Sequence, residues 1–240
     1  MTILNMIVAD QLKKFKLDVD KLLKKGEKKD VALLTIIKRY IKESKKIRFE
    51  GNGYSKDWEK EAESRGLSNI TTTPKALDVL LSEKSEALFA EVGVFSRRES
   101  HARHEVLLES FYKKLQIEAR VMGELTYNII LPAAITYQTK LIENVKGLKE
   151  LGLDETTYKA QLDIITQISH HINIIKADVE SMVTERKKAN NIENLRDKSI
   201  AYDEKVKSYF QPIRYHVDKL EQLVDDSLWP LPKFRELLFI

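Results

Sequence analysis

Apolar residues recur along this chain at intervals of three and four, and no run alternates with period two for more than a few residues, so the pattern predicts helices throughout. Residues 3–25 read as a first helix, broken near Gly26. Asp30 is placed to cap a second, with Leu33, Ile36, Ile37 and Ile41 on one face. A short helix follows over about 56–64, with Ser55 as its N-cap and Arg65-Gly66 closing it. Thr73 reads as the next N-cap, because Pro74 behind it suits a first helical position, where the missing N–H is no loss. Another short helix ends at Gly93.

The pattern lengthens after that. Ser96 and Glu99 have the spacing at which each satisfies the other's free backbone donor at a helix start. Val106, Phe111, Leu115, Val121, Leu125, Ile129, Ala133 and Leu141 then hold a helical stripe, with few breakers before Gly147. Pro132 is expected to kink this helix, since it removes one hydrogen bond and its ring presses on the preceding turn. A helix beginning at Asp154 carries Ile165, Ile168, Ile172, Ile175, Val179 and Met182, a coiled-coil-like seam. The polar stretch RKKANNIEN links it to a last helix with Val206, Phe210, Ile213, Val217, Leu220 and Leu223, interrupted by Pro212. The fold class is therefore all-α: short helices followed by three long antiparallel amphipathic helices in a proline-kinked bundle, each burying its stripe against the others.

One connection does not read as a simple linker. FEGNGYS, between the second and third helices, puts Gly51 and Gly53 around Asn52, three residues that reach positive φ at low cost. Turn chemistry accounts for those three but not for Phe49, Tyr54 and Trp58, which give the loop an apolar lining and imply that it packs against something. The chain ends in a second such stretch, DDSLWPLPKFRELLFI. Its prolines fix an extended entry, and a free tail with Trp229 and Phe234 would be adhesive, so it is expected to dock on its own core or on a partner.

Composition narrows the chemistry. With 240 residues, 42% apolar and 32% charged, the chain can bury a sizeable core in one or two domains. It has no cysteine, which excludes disulfides, thiolate metal sites and a cysteine nucleophile and fits a reducing compartment. No apolar run approaches the roughly 20 residues of a membrane span, and the first residues lack the basic region of a signal peptide. Together these point to a cytoplasmic protein with no membrane partner. Residues 13–30 hold eight lysines against four acids, but the acids are interleaved and no arginine is present, the pattern of a solvated helix face rather than of a nucleic-acid site.

Self-contained active-site chemistry is not visible. His101 and His104 share a helix face, but no third metal ligand accompanies them. His170 and His171 are adjacent, hence about 100° apart on a helix, and do not face one ion together. His216 sits among charges that suggest a polar contact between helices, and Asp225-Asp226 is an ordinary acidic helix end. GNG does not lead into the Lys-Ser/Thr of a phosphate loop.

Taken together, KIRFEGNGYSKDWEKEAESRGL, TTTPKAL, VFSRRES, YNIILPAAITYQ, HHINIIK, MVTERKKAN, QPIRYHVDKLE and WPLPKFRELLF resemble the C-terminal third of type III glutamine synthetases, over essentially the whole chain. A weaker likeness to ordinary glutamine synthetases covers ALDVLLSEKSEALFAEVGVFSRRES and YKKLQIEARV. The resemblance implies an enzyme that makes glutamine from glutamate and ammonia with ATP, using Mg or Mn to clamp the transferred phosphoryl group. It also implies hexameric rings paired into dodecamers. Residues 1–92 would then finish the catalytic domain, and 93–240 would form the helical C-terminal extension. The family's metal-binding glutamates, phosphate-contacting arginines and ammonium-site acid lie upstream of an Asn-Pro motif. MTILNMIVADQL resembles the segment directly after that motif, so Met1 reads as an internal methionine. No catalytic, cofactor-binding or metal residue of the family has a position here to land on. The residues singled out are instead packing and interface candidates: Phe49, Asn52, Tyr54, Trp58, Trp229 and Phe234. The implied partners are the catalytic portion of the same enzyme and further copies of it; the alternative is an independent helical interaction module.

Overall fold

A computed structural model describes residues 2–233 and 236–239. Among the described residues there is no β-strand. The chain forms two compact units, Met1–His104 and Glu105–Ile240.

The first unit contains α1 (Thr2–Lys24), α2 (Lys29–Glu43), α3 (Lys56–Ser64), α4 (Thr73–Leu77) and α5 (Glu83–Glu91), and α6 (Arg97–Leu125) begins in it. α1 turns into α2 through Gly26, whose φ of 89° suits a residue without a Cβ. The pair closes over Val19, Ala32 and Ile36, flanked by Phe15, Leu22, Leu33 and Tyr40. Phe15 meets Tyr40 edge to face at 5.6 Å, a favoured arrangement for two aromatic quadrupoles. This core is small. Ile37 and Ile41, expected on the buried face of α2, are exposed. The buried line runs instead through Ala32 and Ile36, so half of a wide apolar band is left uncovered.

Two caps also move. Lys28 occupies the N-cap position of α2, and Asp30 sits inside the first turn, where its charge complements the helix dipole. Thr72, not Thr73, is the N-cap residue of α4, one position ahead of the proline pattern. Ser55 caps α3 as expected, its hydroxyl accepting from the Trp58 N–H at 3.2 Å. The reciprocal cap at Ser96 and Glu99 is present as well. The Ser96 N–H donates to Glu99 Oε2 at 2.8 Å, and the Glu99 N–H donates to Ser96 Oγ at 3.3 Å.

The second unit contains the rest of α6, α7 (Leu131–Glu150), α8 (Glu155–Asn190), α9 (Leu195–Ala201) and α10 (Phe210–Leu223). Side-chain bonds fix how these run. Gln116 reaches Asn190, Tyr127 reaches the Lys176 carbonyl, and Gln138 reaches the Ile165 carbonyl, so numbers rise along α6–α7 as they fall along α8. Tyr202 meets Asn190 while His216 meets His171, which sets the last helical stretch antiparallel to α8 in turn. The seam predicted on α8 is the centre of this core: Ile168, Ile175, Val179 and Met182 are fully buried, with Tyr202, Val206, Ile213 and Leu220 facing them from the last stretch.

The prolines act differently from a simple kink. Residues Thr126–Ile130 wind as a π turn, with the Leu131 N–H donating to the Thr126 carbonyl five residues back. Pro132 follows at the start of α7. A wider turn lets the backbone pass a residue that offers no N–H. The extra residue also shifts the phase, which the single predicted stripe ignored. Val106 and Val121, both ahead of the turn, are exposed as well, and the buried face consists of Leu108, Leu115 and Ala119 before the turn, Thr126 and Ile130 in it, and Ala134 and Val145 after it. A second π turn spans Tyr202–Val206, followed by a 3₁₀ turn at Lys207–Tyr209. Pro212 is the third residue of α10, within the first turn, so the interruption lies upstream of the proline rather than at it. The predicted polar link is shorter than expected: α8 continues through RKKAN to Asn190, and only 191–194 connect.

Candidate functional site

The loop after α2 is built from local bonds. Phe49 lies against Trp58 with ring centroids 4.3 Å apart and planes 30° from parallel. Arg65 holds its guanidinium over the Trp58 ring, 5.5 Å from the ring centre, and donates to the Arg48 carbonyl at 2.8 Å. It also pairs with Glu61. Asn52 turns the chain with its side-chain oxygen, which accepts from the Tyr54 N–H at 3.0 Å. Gly51 has φ of 155°, and a Cβ there would come within 2.9 Å of Phe49 Cζ, so the glycine is what allows Phe49 to fold back onto Trp58. Gly53 and Asn52 stay at negative φ. Tyr54 does not join the expected lining: it is 99% exposed, while Phe49 and Trp58 are half-buried against each other.

At the other end of the chain, Trp229 is buried in the core of the second unit with Leu228 and Leu231 packed there too. Asp225 starts this segment by accepting from the Ser227 N–H at 2.7 Å, and the Ser227 hydroxyl, together with that N–H, holds its carboxyl below the usual carboxylate range. Lys233 donates to the Glu221 carbonyl at 2.9 Å and pairs with Asp226. The acidic pair thus ties the tail down. Leu237 and Leu238 are exposed, and Phe234 lies outside the described residues.

The histidines separate into two groups. His101 is bonded to Glu86 at 3.0 Å and His104 to Asp78 at 3.4 Å, so the two share a helix face but each ring has its own carboxylate. His171 and His216 meet across α8 and α10, Nδ1 to Nδ1, at 2.9 Å. Burial lowers the pKa of both rings. His216 and His170 add to this at His171, and at His216 a nearby Asp178 acts in the opposite sense. Spacing alone assigns this cluster no role, since adjacency of His170 and His171 hides that only His171 turns inward. The pattern on one helix carries no record of what the next helix brings.

On α1, Lys14 pairs with Asp10, Lys16 with Asp20 and Lys21 with Asp18, and Arg39 reaches Asp18 from α2. The interleaved acids are therefore the partners of the lysine run. A groove of about 500 Å³ opens between these two helices, bordered by Lys14, Asp18, Arg39 and Tyr40. Among the described residues, no three histidine or acidic side chains are placed to hold a metal ion. Among the described residues, the side chains present do not fit the metal–nucleotide site of a phosphoryl-transfer enzyme.

Residues 32–149 match the family model of the glutamine synthetase C-terminal domain. The likeness is to the C-terminal region of glutamine synthetases. All of this chain aligns with a glutamine synthetase of Bacteroides fragilis at 44% identity over 242 residues, covering 33% of that protein. A type-3 glutamine synthetase of Dictyostelium discoideum is 28% identical over 99% of this chain and 33% of its own length. A glutamine synthetase of Butyrivibrio fibrisolvens is 26% identical over 85% of the chain and 29% of its own. The chain thus spans about a third of the length of these relatives. Both the Phe49–Trp58 loop and the π turn before Pro132 fall inside the segment matching the glutamine synthetase C-terminal domain, and the Trp229 tail lies beyond it. Among the described residues, no helix is long and apolar enough to cross a membrane.

Proposed function

We propose that this chain is the C-terminal, scaffolding part of a type III glutamine synthetase, an ATP-dependent ligase of ammonia to glutamate. The observation that carries the reading is its alignment from end to end, at 44% identity, with a third of a glutamine synthetase. In this reading residues 1–92 complete the catalytic domain, and 93–240 form the extension. ATP and Mg or Mn are bound by the remaining two-thirds of the enzyme, which assembles in the cytoplasm as hexameric rings paired into dodecamers.

The first unit supports a role as a docking partner for that remainder. Leu4, Val8 and Leu12 of α1 and Leu34 and Ile41 of α2 stand exposed beside a core of only a few residues. Apolar surface of this extent is characteristic of an interface. The pairing of His101 with Glu86 and of His104 with Asp78 fits a scaffold as well.

The test is ADP release with ATP, glutamate, ammonia and magnesium. The purified 240-residue chain is expected to show no glutamate-dependent turnover, whereas a polypeptide joining it to the other two-thirds of a type III enzyme turns over. Glutamate-dependent ADP release by the chain itself overturns the scaffold assignment, and an inactive joined polypeptide that is folded and assembled overturns the ligase assignment.

A further inference from the structure

Apart from any ligase role, the contact between α8 and α10 contains an arrangement that the scaffold reading does not use. His171 and His216 present Nδ1 atoms to each other at 2.9 Å, with ring centroids 5.1 Å apart and planes inclined at 48°. One Nδ1 must carry the hydrogen and the other the lone pair, so the two nitrogens share a single proton. Both side chains are half-buried, so the pair is braced by the two helices yet open to water on one side.

We propose that this pair is a chelating site for a divalent transition-metal ion, Cu(II) or Ni(II) above Zn(II), which takes the place of the shared proton and clasps α8 to α10. The ligand type sets the class of ion, since imidazole nitrogen suits first-row transition metals and affinity peaks at Cu(II). Two ligand nitrogens about 2.05 Å from a metal and at right angles to each other lie about 2.9 Å apart, whereas tetrahedral ligands at that bond length lie about 3.3 Å apart. The observed 2.9 Å is the length of the N–H···N hydrogen bond that joins the rings, and it already holds the two nitrogens within the reach of a right-angled pair of ligands. The proton balance closes within the pair. The ring that donated moves its hydrogen from Nδ1 to Nε2, both Nδ1 lone pairs turn to the ion, and water completes the coordination. Asp178 and Lys219 lie close enough to act electrostatically on the pair, with opposite signs, and the exposed His170 ring stands 6.2 Å from that of His216. The other histidine pair does not compete on equal terms, because His101 and His104 are each held by a separate carboxylate.

The experiment titrates the 240-residue chain with CuCl₂ or NiCl₂. Titration is followed by calorimetry, by the melting temperature and, for Cu(II), by electron paramagnetic resonance. The expected result is a single site whose spectrum shows coupling to two nitrogens, a rise in melting temperature, and binding weakened at least about tenfold in His171→Gln and in His216→Gln. The His101→Gln variant is expected to bind as the parent does. Binding unchanged in both the His171 and His216 variants, or no binding to the parent chain at about 100-micromolar metal (the strength expected of a two-histidine chelate), overturns the proposal. Should either variant not fold, anomalous scattering from a Ni(II)-soaked crystal decides: a peak between the two Nδ1 atoms supports the site, and its absence sinks it.

Discussion

Gly51 shows how one missing methyl sets a local structure. Its backbone angle and the 2.9 Å approach of Phe49 Cζ leave no room for a Cβ without moving the Phe49 ring off Trp58. Gly51→Ala is therefore expected to lower stability by about 1 kcal/mol and to expose Trp58. A red shift in tryptophan emission, read in a Trp229→Phe background, checks this; unshifted emission means the ring pair does not depend on the glycine. Part of this loop was legible in the sequence. Paired glycines beside Asn52 announce a turn and Ser55 announces a cap, because both depend on neighbours within a few residues. Which aromatic residues pair depends on the path of the turn, and there Tyr54 departs from Phe49 and Trp58. For the His171–His216 contact, only a polar contact between helices at His216 was legible; its partner depends on the register of two helices far apart in sequence.

At the scale of elements, the repeat of apolar residues on α8 was sufficient to place its core face, since an uninterrupted helix keeps its phase. The longer run from α6 into α7 was not. The stripe already strays onto the exposed Val106 and Val121 ahead of the π turn, and the turn then adds a residue that no hydropathy pattern marks. Where α6, α8 and the last stretch converge, polar side chains fix the register instead. Asn190 Oδ1 accepts from Gln116 at 2.8 Å and from the Tyr202 hydroxyl at 2.5 Å. Burial raises the pKa of Tyr202, so its hydroxyl stays a donor across the ordinary range. Asn190→Leu is expected to cost about 1–3 kcal/mol by stranding that hydroxyl, and Tyr202→Phe introduced alongside should recover part of the loss. Urea denaturation of the two single variants and the double variant measures the coupling; strictly additive losses would show that the bond does not hold the helices in register.

For the whole molecule, the two units differ in how completely each covers its own apolar surface. The second buries four fully enclosed residues of α8 among side chains from the neighbouring helices, while the first leaves most of the α1 and α2 bands in water. Hydrogen exchange on the 240-residue chain should find the slowest amides along 160–220 and fast exchange through 2–43. Equal protection in both segments would remove the argument for a docking face on α1 and α2. The π turn at 126–130 has its own bearing on heredity. Each helical residue advances the chain by about 100°, so losing a single codon there would swing α7 around and present Ile135 where Ala134 belongs. Substitutions in those five positions leave the register of α7 in place, whereas a change in their number rotates every residue that follows.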